Sequence, residues 1–163
     1  MSTTPEIMER SAQPYVAIRA DVTMEQLPGL ADRFGEVFGW LAERGKVPAG
    51  PPFLRYHVID MERQLNVEAG VPVPTAVEGD HHVRAGVIPA GRYVTALQVG
   101  PYDGLIGAVD NLLQWAEAHG LEWDKSAAED GERWGCRLEI YLTNPAEQPD
   151  LARWETQLAF RLK

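Results

Sequence analysis

The chain has 163 residues, 45% of them hydrophobic and 24% charged, which is enough to bury a core and excludes extended disorder beyond the termini. Its formal net charge of -9 produces a field that repels phosphate backbones and argues against direct binding of nucleic acid. The sequence has no signal peptide, no apolar run that predicts a membrane span, and only one cysteine, Cys136, so we expect a cytoplasmic protein without an intramolecular disulfide.

The first half of the chain predicts a strand, a helix and two further strands. Residues 1 to about 12 are expected to form a frayed lead-in to a β-branched strand over Tyr15–Val22. A helix follows from Leu27-Pro28 to Gly45, which is well placed as a C-terminal cap. Its predicted buried stripe is Leu30, Phe34, Val37, Phe38 and Leu41, and the strands after it are Phe53–Ile59 and Gln64–Val73.

The second half predicts the same succession after a linker of about residues 74–90, which has room for a short strand around Val83. A strand over Arg92–Val99 leads to a helix that begins at Asp103, a plausible N-cap, and closes at Gly120. The helix presents the stripe Leu105, Val109, Leu112, Leu113 and Ala116. A polar loop over residues 122–133, a strand over residues 134–145 and a last strand over Trp154–Leu162 complete the chain.

The two halves match in sequence at a constant offset of 75 residues through their helices. At this offset Gly29 falls on Gly104, Trp40 on Trp115, and the capping Gly45 on Gly120. The match predicts an α+β fold with duplicated strand-helix-strand-strand units, pseudo-two-fold symmetry, an antiparallel sheet that forms a groove, and helices on its outer face. We expect a single domain over residues 1–163, with repeats at about 15–73 and 91–163.

The predicted strand at residues 134–145 carries a charged residue at its centre. Side chains in a strand alternate between faces, so Cys136, Leu138, Ile140 and Leu142 share one face, while Glu139 and its neighbours Arg137 and Tyr141 share the other. Glutamate is depleted in strands and rarely buried without a partner. Glu139 therefore either points into water or serves a site.

Three segments in order and spacing resemble the GyrI-like family, the effector-binding domain of some AraC-type and MerR-type regulators. They are Gly86–Tyr93, Val99–Leu105 and Glu139–Pro145. The resemblance covers the chain from about Tyr15 to its end. It implies a duplicated fold with a groove for hydrophobic, often cationic, small molecules, and a glutamate matching Glu139 in the groove among aromatic side chains.

The chain departs from the family pattern at two places, and lacks a helix-turn-helix. Gln98 stands where the family often has histidine, which puts a base at that position in doubt. Aligning Arg55–Ile59 with Arg137–Tyr141 gives His57 the pseudo-symmetric place of Glu139. Residues 1–14 are too few for a DNA-binding module, so we expect a stand-alone domain rather than a complete regulator.

Glu139, Tyr141 and His57 are the candidates for catalysis, and all three are also candidates for ligand binding. A groove carboxylate would have its pKa raised by burial or would attract a cation, whereas an exposed glutamate would do neither. Tyr141 could stack on a ligand or orient the carboxylate, and His57 could polarise a water across the pseudo-axis. Each is otherwise an ordinary strand residue, and the same alternatives hold for Glu68, a second possible groove acid.

Aromatic residues are the candidates for the walls of the groove. Trp134, Tyr102 and Phe53 could supply apolar area and faces for cation-π contacts. Trp40 and Trp115 are repeat-equivalent and flank the helical stripes, so packing is the better interpretation of both, and Trp154 is interpreted as structural.

No motif predicts a metal or another cofactor. Two adjacent histidines, His81 and His82, do not easily point at one ion, and no second cluster has the spacing of a zinc or iron site. The sequence contains no phosphate-binding loop, and its serines, Ser2, Ser11 and Ser126, are poorly placed for a Ser-His-Asp triad.

Three functions remain open at the level of sequence. The first is a binding domain for a hydrophobic, planar or cationic xenobiotic. The second is a hydrolase in which Glu139, helped by Tyr141 or His57, activates water to open cyclopropane rings of DNA-alkylating natural products. The third is a protein inhibitor of a partner such as a topoisomerase. We expect no membrane partner.

Overall fold

The computed structural model describes residues 2–60 and 62–163. Its fold is mixed α+β, with a curled antiparallel sheet and helices packed on one face, which confirms the predicted fold class. The strands are β1 Glu6–Arg10, β2 Gln13–Val22, β3 Phe53–Ile59, β4 Leu65–Pro72, β5 Arg84–Ile88, β6 Gly91–Val99, β7 Lys125–Ala128, β8 Gly131–Trp134, β9 Arg137–Tyr141 and β10 Glu155–Arg161. The helices are α1 Leu27–Ala31, α2 Phe34–Glu43 and α3 Leu105–Ala118.

The order of strands across the sheet is palindromic with respect to the two repeats. It runs β1-β6-β10-β9-β3-β4-β2-β5, so each repeat contributes its first strand near the edge and its second strand at the centre. The central pair is β3 and β9, in which Leu54 lies opposite Glu139. This arrangement is the pseudo-two-fold organisation that the internal repeat predicts.

Apolar side chains fill both faces of the sheet. The larger core lies under the helices and contains Val37, Leu41 and Leu112 together with inward residues of the strands. A smaller core on the opposite face contains Tyr15, Phe53 and Tyr93. It also contains Leu138 and Ile140 of β9 and Cys136, which immediately precedes that strand. The predicted alternation is therefore confirmed over residues 136–141. It is wrong for Leu142, which follows the end of β9 and lines the groove instead of sharing the face of Cys136.

Two segments predicted to be irregular form strands instead. The N-terminal lead-in contains β1, which pairs with β6 at the edge of the sheet. The polar loop at residues 122–133 contains the hairpin of β7 and β8, in which Gly131 has φ 127° and β8 also pairs with β3. Edge and hairpin strands lie largely in solvent, so their polar composition resembles that of a loop. The linker likewise contains β5, close to the strand expected around Val83.

Both helices lie where the sequence predicts them, but the first is divided in two and the second begins later than predicted. The first divides into α1 and α2 at Asp32 and Arg33, where backbone hydrogen bonds tighten to three-residue spacing. Asp103 does not cap α3, because it lies within a 3₁₀ turn over Tyr102–Gly104 and makes no side-chain cap. Gly45 and Gly120 close their helices with φ 64° and 67°, as predicted. Among the described residues, no helix has the length and hydrophobicity needed to cross a bilayer.

Candidate functional site

A groove opens between the helices above the two central strands. Helix α2 packs over β4 and helix α3 packs over β6, which leaves β3 and β9 uncovered along the pseudo-axis. The uncovered strands form the floor, with Tyr56 from β3 and Arg137, Glu139 and Tyr141 from β9. The site therefore lies at the junction of the two repeats, where clefts commonly bind ligands.

The groove has a volume of about 1140 Å³ and walls that are mainly apolar. This volume is at the upper end of small-molecule sites, so it suits a ligand with several rings. Its charged residues are five acids and a single arginine, Arg137. The acids are Asp32, Asp110, Glu132, Glu139 and Glu147, so the groove favours positive charge.

Glu139 is the acid at the floor of the groove. Its carboxylate is partly buried and accepts a hydrogen bond from the Tyr141 hydroxyl at 2.8 Å. The Tyr56 hydroxyl also acts on this carboxyl by lowering its pKa. The Tyr141 phenol orients the carboxylate, but among the described residues no cationic side chain forms an ion pair with it within 4.0 Å.

The protonation of Glu139 reflects opposing effects. Burial raises the pKa of the carboxyl above its ordinary value, while the hydrogen bonds from Tyr141 and Tyr56 and the charge of Arg137 act in the opposite direction. Burial, reinforced by the Glu139 charge, also raises the pKa of both phenols. The hydroxyls therefore stay protonated at neutral pH and act as donors to the carboxylate.

Aromatic rings form a continuous wall beside Glu139. The Tyr141 ring lies 5.7 Å from the ring of Phe34 in α2 and 5.5 Å from the ring of Tyr102, which begins the 3₁₀ turn before α3. Tyr102 also contacts Trp154, with ring centroids 4.8 Å apart. Tyr102 and Phe34 line the groove from opposite repeats, so a flat ligand above Glu139 would meet rings on both sides.

His57 and Glu68 lie on the opposite face of the sheet from Glu139. His57 Nε2 contacts the Glu68 carboxylate, which also accepts a hydrogen bond from the Tyr15 hydroxyl at 2.6 Å. The predicted pairing of His57 with Glu139 across the pseudo-axis is therefore wrong. The alignment of the repeats was displaced by one position in β3, next to a bulge between Tyr56 and Val58, and such a displacement reverses every face assignment.

Two predicted wall residues are buried away from the groove. Phe53 is in the smaller core, where its ring meets Tyr15 edge-on at 5.1 Å. Trp134 is 5% exposed and packs against Trp123 and Phe160, with the guanidinium of Arg137 4.8 Å from the centroid of its ring. Of the seven candidates, the structure brings together Glu139, Tyr141 and Tyr102. Trp134 lies behind Arg137 and outside the groove lining, and Phe53, His57 and Glu68 lie on the opposite face of the sheet.

Several groove residues were not identified as site residues from the sequence. Phe34, Phe38, Val109 and Leu113 were assigned to buried helical stripes, but they are only partly buried and line the groove. Tyr56 and Arg137 were recognised as strand residues without a role in the site. The alternation of side chains along the strand was enough to find Arg137, because Arg137 shares the face of Glu139. Among the described residues, no group of three or more histidine, cysteine, aspartate or glutamate side chains is arranged to hold a metal ion.

Several solved structures share this fold at low sequence identity. EcmrR in a complex with DNA has a TM-score of 0.77 and 21% identity, and the match covers 99% of this chain but only 57% of EcmrR. The C-terminal domain of EcmrR alone has a TM-score of 0.73 and 20% identity, with 98% and 96% of the two chains covered. This chain thus spans little more than half the length of the full EcmrR chain.

Two further structures are similar over nearly their whole length. SAV2435 bound to tetraphenylphosphonium has a TM-score of 0.67 and 7% identity, with 99% of this chain and 94% of SAV2435 covered. A hydrolase from Listeria innocua has a TM-score of 0.62 and 14% identity, with coverages of 98% and 92%. At these identities the likeness establishes the fold. No curated protein matches the chain significantly in sequence. A family profile described as the GyrI-like small molecule binding domain matches residues 3–163.

Proposed function

Because the chain belongs to the GyrI-like small molecule binding domain family, we propose that its groove binds hydrophobic, planar cations with Glu139 as their counter-charge. The observation that carries the proposal is the environment of Glu139. Its carboxylate lies at the floor of an apolar groove, is held by a phenol at 2.8 Å, and has no cationic partner within ion-pair distance among the described residues. A bound cation would supply that partner and favour the ionised form.

The shape and charge of the groove support the same ligand class. Rings of Phe34, Tyr102 and Tyr141 offer π-faces to a cation above the carboxylate. Four further acids in the lining add a favourable potential for positive charge. SAV2435, which shares the fold, has been solved with tetraphenylphosphonium, a bulky apolar cation whose rings surround a tetrahedral phosphorus.

The test is the affinity of a planar cationic dye for wild type and Glu139→Gln. Rhodamine 6G is titrated with protein and followed by fluorescence polarisation at neutral pH. Glutamine keeps the size and accepts the Tyr141 hydrogen bond, but it has no charge. We expect affinity to fall about tenfold or more, because a charge-assisted contact contributes about 1.5–3 kcal/mol.

A matched control distinguishes direct contact from the general field of the groove. Glu147 also lines the groove but is exposed, so Glu147→Gln removes the same charge at its rim. We expect this change to alter affinity less than about threefold. Equal affinity of wild type and Glu139→Gln for the dye would refute the role of Glu139.

A hydrolase is the second candidate, and the pair of Glu139 and Tyr141 favours it. A carboxyl whose pKa is raised by burial, hydrogen-bonded to a phenol at 2.8 Å, can exchange protons with a water or a ligand. A similar fold in a hydrolase from Listeria innocua is compatible with such chemistry. His57 would take no part, since it lies on the other face of the sheet.

The hydrolase is tested with a cyclopropane-bearing DNA alkylator, whose ring-opened product is measured by chromatography. If Glu139 activates the attacking water, Glu139→Gln abolishes turnover while part of the ligand affinity is retained. Tyr141→Phe reduces turnover, and His57→Gln leaves it unchanged. Ligand binding without turnover in wild type would exclude the hydrolase and leave the binding function. The hypothesis of a protein partner such as a topoisomerase stays a prediction.

A further inference from the structure

Arg137 is the single basic residue of the groove lining, and aromatic rings fix its position. Its guanidinium carbon lies 4.4 Å from the centroid of Phe160, 4.8 Å from Trp134 and 5.9 Å from Tyr56. A planar guanidinium stacks well on such rings, which restrict its rotamers. The side chain therefore presents a fixed group beside Glu139 on the groove floor.

The donors of Arg137 have no partner within the described part of the chain. A guanidinium has five N–H donors, yet Arg137 makes no side-chain hydrogen bond and no ion pair to any described residue. Arg55 provides the contrast, because its guanidinium donates to the Tyr15 hydroxyl at 2.9 Å and to backbone carbonyls of Val87 and Gly135 at 3.0 and 2.9 Å. The terminal nitrogens of Arg55 are therefore used within the fold, whereas Arg137 lines the groove.

We propose that Arg137 selects ligands that carry a hydrogen-bond acceptor oxygen next to their cationic ring. The proposal rests on the proposed function, since it concerns the same groove, and it narrows the ligand class. Two parallel N–H groups of the fixed guanidinium would donate to the oxygen while Glu139 contacts the positive charge.

The charge of the groove indicates a neutral oxygen, such as a carbonyl or carboxamide, rather than a carboxylate. Five acids lie in the lining, and the whole chain has a net charge of -9. A ligand carboxylate would be repelled by these groups, whereas a neutral acceptor would gain the hydrogen bonds without that repulsion. The recognised ligand is thus a flat cation with a carbonyl-type substituent.

Two probes of equal size test the proposal by fluorescence titration. One is N-methylacridinium with a carboxamide substituent, and the other is the same ring with an isopropyl group at that position. In wild type we expect the carboxamide probe to bind at least as tightly as the isopropyl probe, because Arg137 replaces the hydrogen bonds that the amide loses from water. A carboxamide probe that binds about tenfold more weakly would overturn the proposal, since an unpaired buried amide costs about that much affinity.

The variant Arg137→Met identifies the source of the preference. Methionine keeps an apolar stem among the rings but removes the donors. We expect affinity for the carboxamide probe to fall about tenfold and that for the isopropyl probe to change less than about twofold. Arg84→Met, which removes an exposed arginine outside the groove, should change neither affinity.

The outcomes separate this proposal from the function on which it rests. Equal losses for both probes in Arg137→Met would mean that Arg137 only packs, and selection by its donors would be refuted while cation binding stood. The wild-type comparison keeps the test valid if Arg137→Met does not fold. Failure of both probes and of rhodamine 6G to bind wild type would refute the proposed function and this proposal with it.

Discussion

The ionised carboxylate of Glu139 destabilises the folded protein but is the group that we propose binds the cation. Burial disfavours its ionised form, and the phenols of Tyr141 and Tyr56 recover only part of that loss, so its pKa in the folded state stays above the ordinary value. A glutamate in this position weakens the protein at the pH where a cation would bind. This conflict is typical of binding sites, whose groups are arranged for the ligand rather than for stability.

The stability of Glu139→Gln tests that conflict. Because the folded-state pKa is raised, the stability associated with the protonated carboxyl is complete below the unfolded-state pKa and is lost as pH rises through the folded-state pKa. Without ligand, Glu139→Gln should therefore be more stable than wild type at pH 7, with little difference near pH 4. Thermal unfolding by circular dichroism at both values measures this. A lower Tm for the variant at pH 7 would contradict it.

Tyr141 sets how readily Glu139 ionises. Tyr141→Phe removes the donor at 2.8 Å but keeps the ring beside Phe34 and Tyr102. The pKa of Glu139 should rise further, so the loss of cation affinity should be several-fold at the acidic end of the range from pH 5 to pH 8 and should shrink as the pH rises and the carboxyl ionises. Dye titrations across this range measure the effect.

Tyr102→Phe is the matched control, because Tyr102 lines the same wall and no described contact joins its hydroxyl to Glu139. It should show the wild-type pH profile. A Tyr141→Phe profile that coincides with wild type would show that the phenol does not tune the carboxylate.

At the scale of the element, the alternation of side chains along one strand could be predicted, but the register between neighbouring strands could not. The sequence of β9 is sufficient to place Arg137, Glu139 and Tyr141 together, since period two is a property of the strand itself. The partner of Glu139 across the axis depends on how β3 aligns, and β3 contains a bulge. Tyr56, not His57, therefore reaches the groove.

The helices show a second limit of sequence analysis. Periodicity correctly identified apolar stripes on both helices, but a stripe indicates contact with something apolar without saying whether protein or ligand provides it. Val37 and Leu112 pack on the sheet, whereas Phe34 and Val109, on the same stripes, face the groove. The groove consists of the part of each stripe that the sheet does not cover.

Strand β4 depends on a glycine opposite an aromatic residue. A Cβ at Gly70 would lie 2.6 Å from the ring of Phe53, which is itself 2% exposed and cannot move freely. Gly70→Ala should lower the free energy of unfolding by about 1–3 kcal/mol through overpacking of the smaller core. Urea denaturation measures the change.

Gly107→Ala serves as the control for the same substitution in open space. A Cβ at Gly107 would meet no atom within 4 Å, and the residue lies in the interior of α3. The change should therefore raise the free energy of unfolding by up to about 1 kcal/mol. If Gly70→Ala had the same free energy of unfolding as wild type, the smaller core would be able to accept a methyl group beside Phe53, and the prediction would be wrong.

At the scale of the whole molecule, duplication explains why the groove exists. Each repeat places its helix over its outer strands, and joining the repeats through β3 and β9 leaves a strip of sheet without a helix. The repeat in the sequence predicted the duplicated units and a groove, but not that the helices would form the walls of that groove. The polar edge segments β1 and the β7–β8 hairpin could not be predicted, because they bury few side chains and carry no clear period.

The charge of the molecule acts together with the groove. A net charge of -9 and five groove acids favour cations over anions of equal size, and Glu139 makes that preference local. Apolar walls alone would bind either sign equally. The sign of the ligand charge is thus the property that distinguishes the proposed mechanism from simple hydrophobic capture.

Isothermal titration calorimetry of wild type with tetraphenylphosphonium and tetraphenylborate tests this most directly, because the two ions share size and shape and differ in the sign of their charge. Neither has an acceptor oxygen, so the comparison is independent of Arg137. We predict that the phosphonium binds about 100-fold more tightly than the borate, a difference of about 2.7 kcal/mol. Equal affinities, or tighter binding of the borate, would contradict a groove that recognises cations through Glu139.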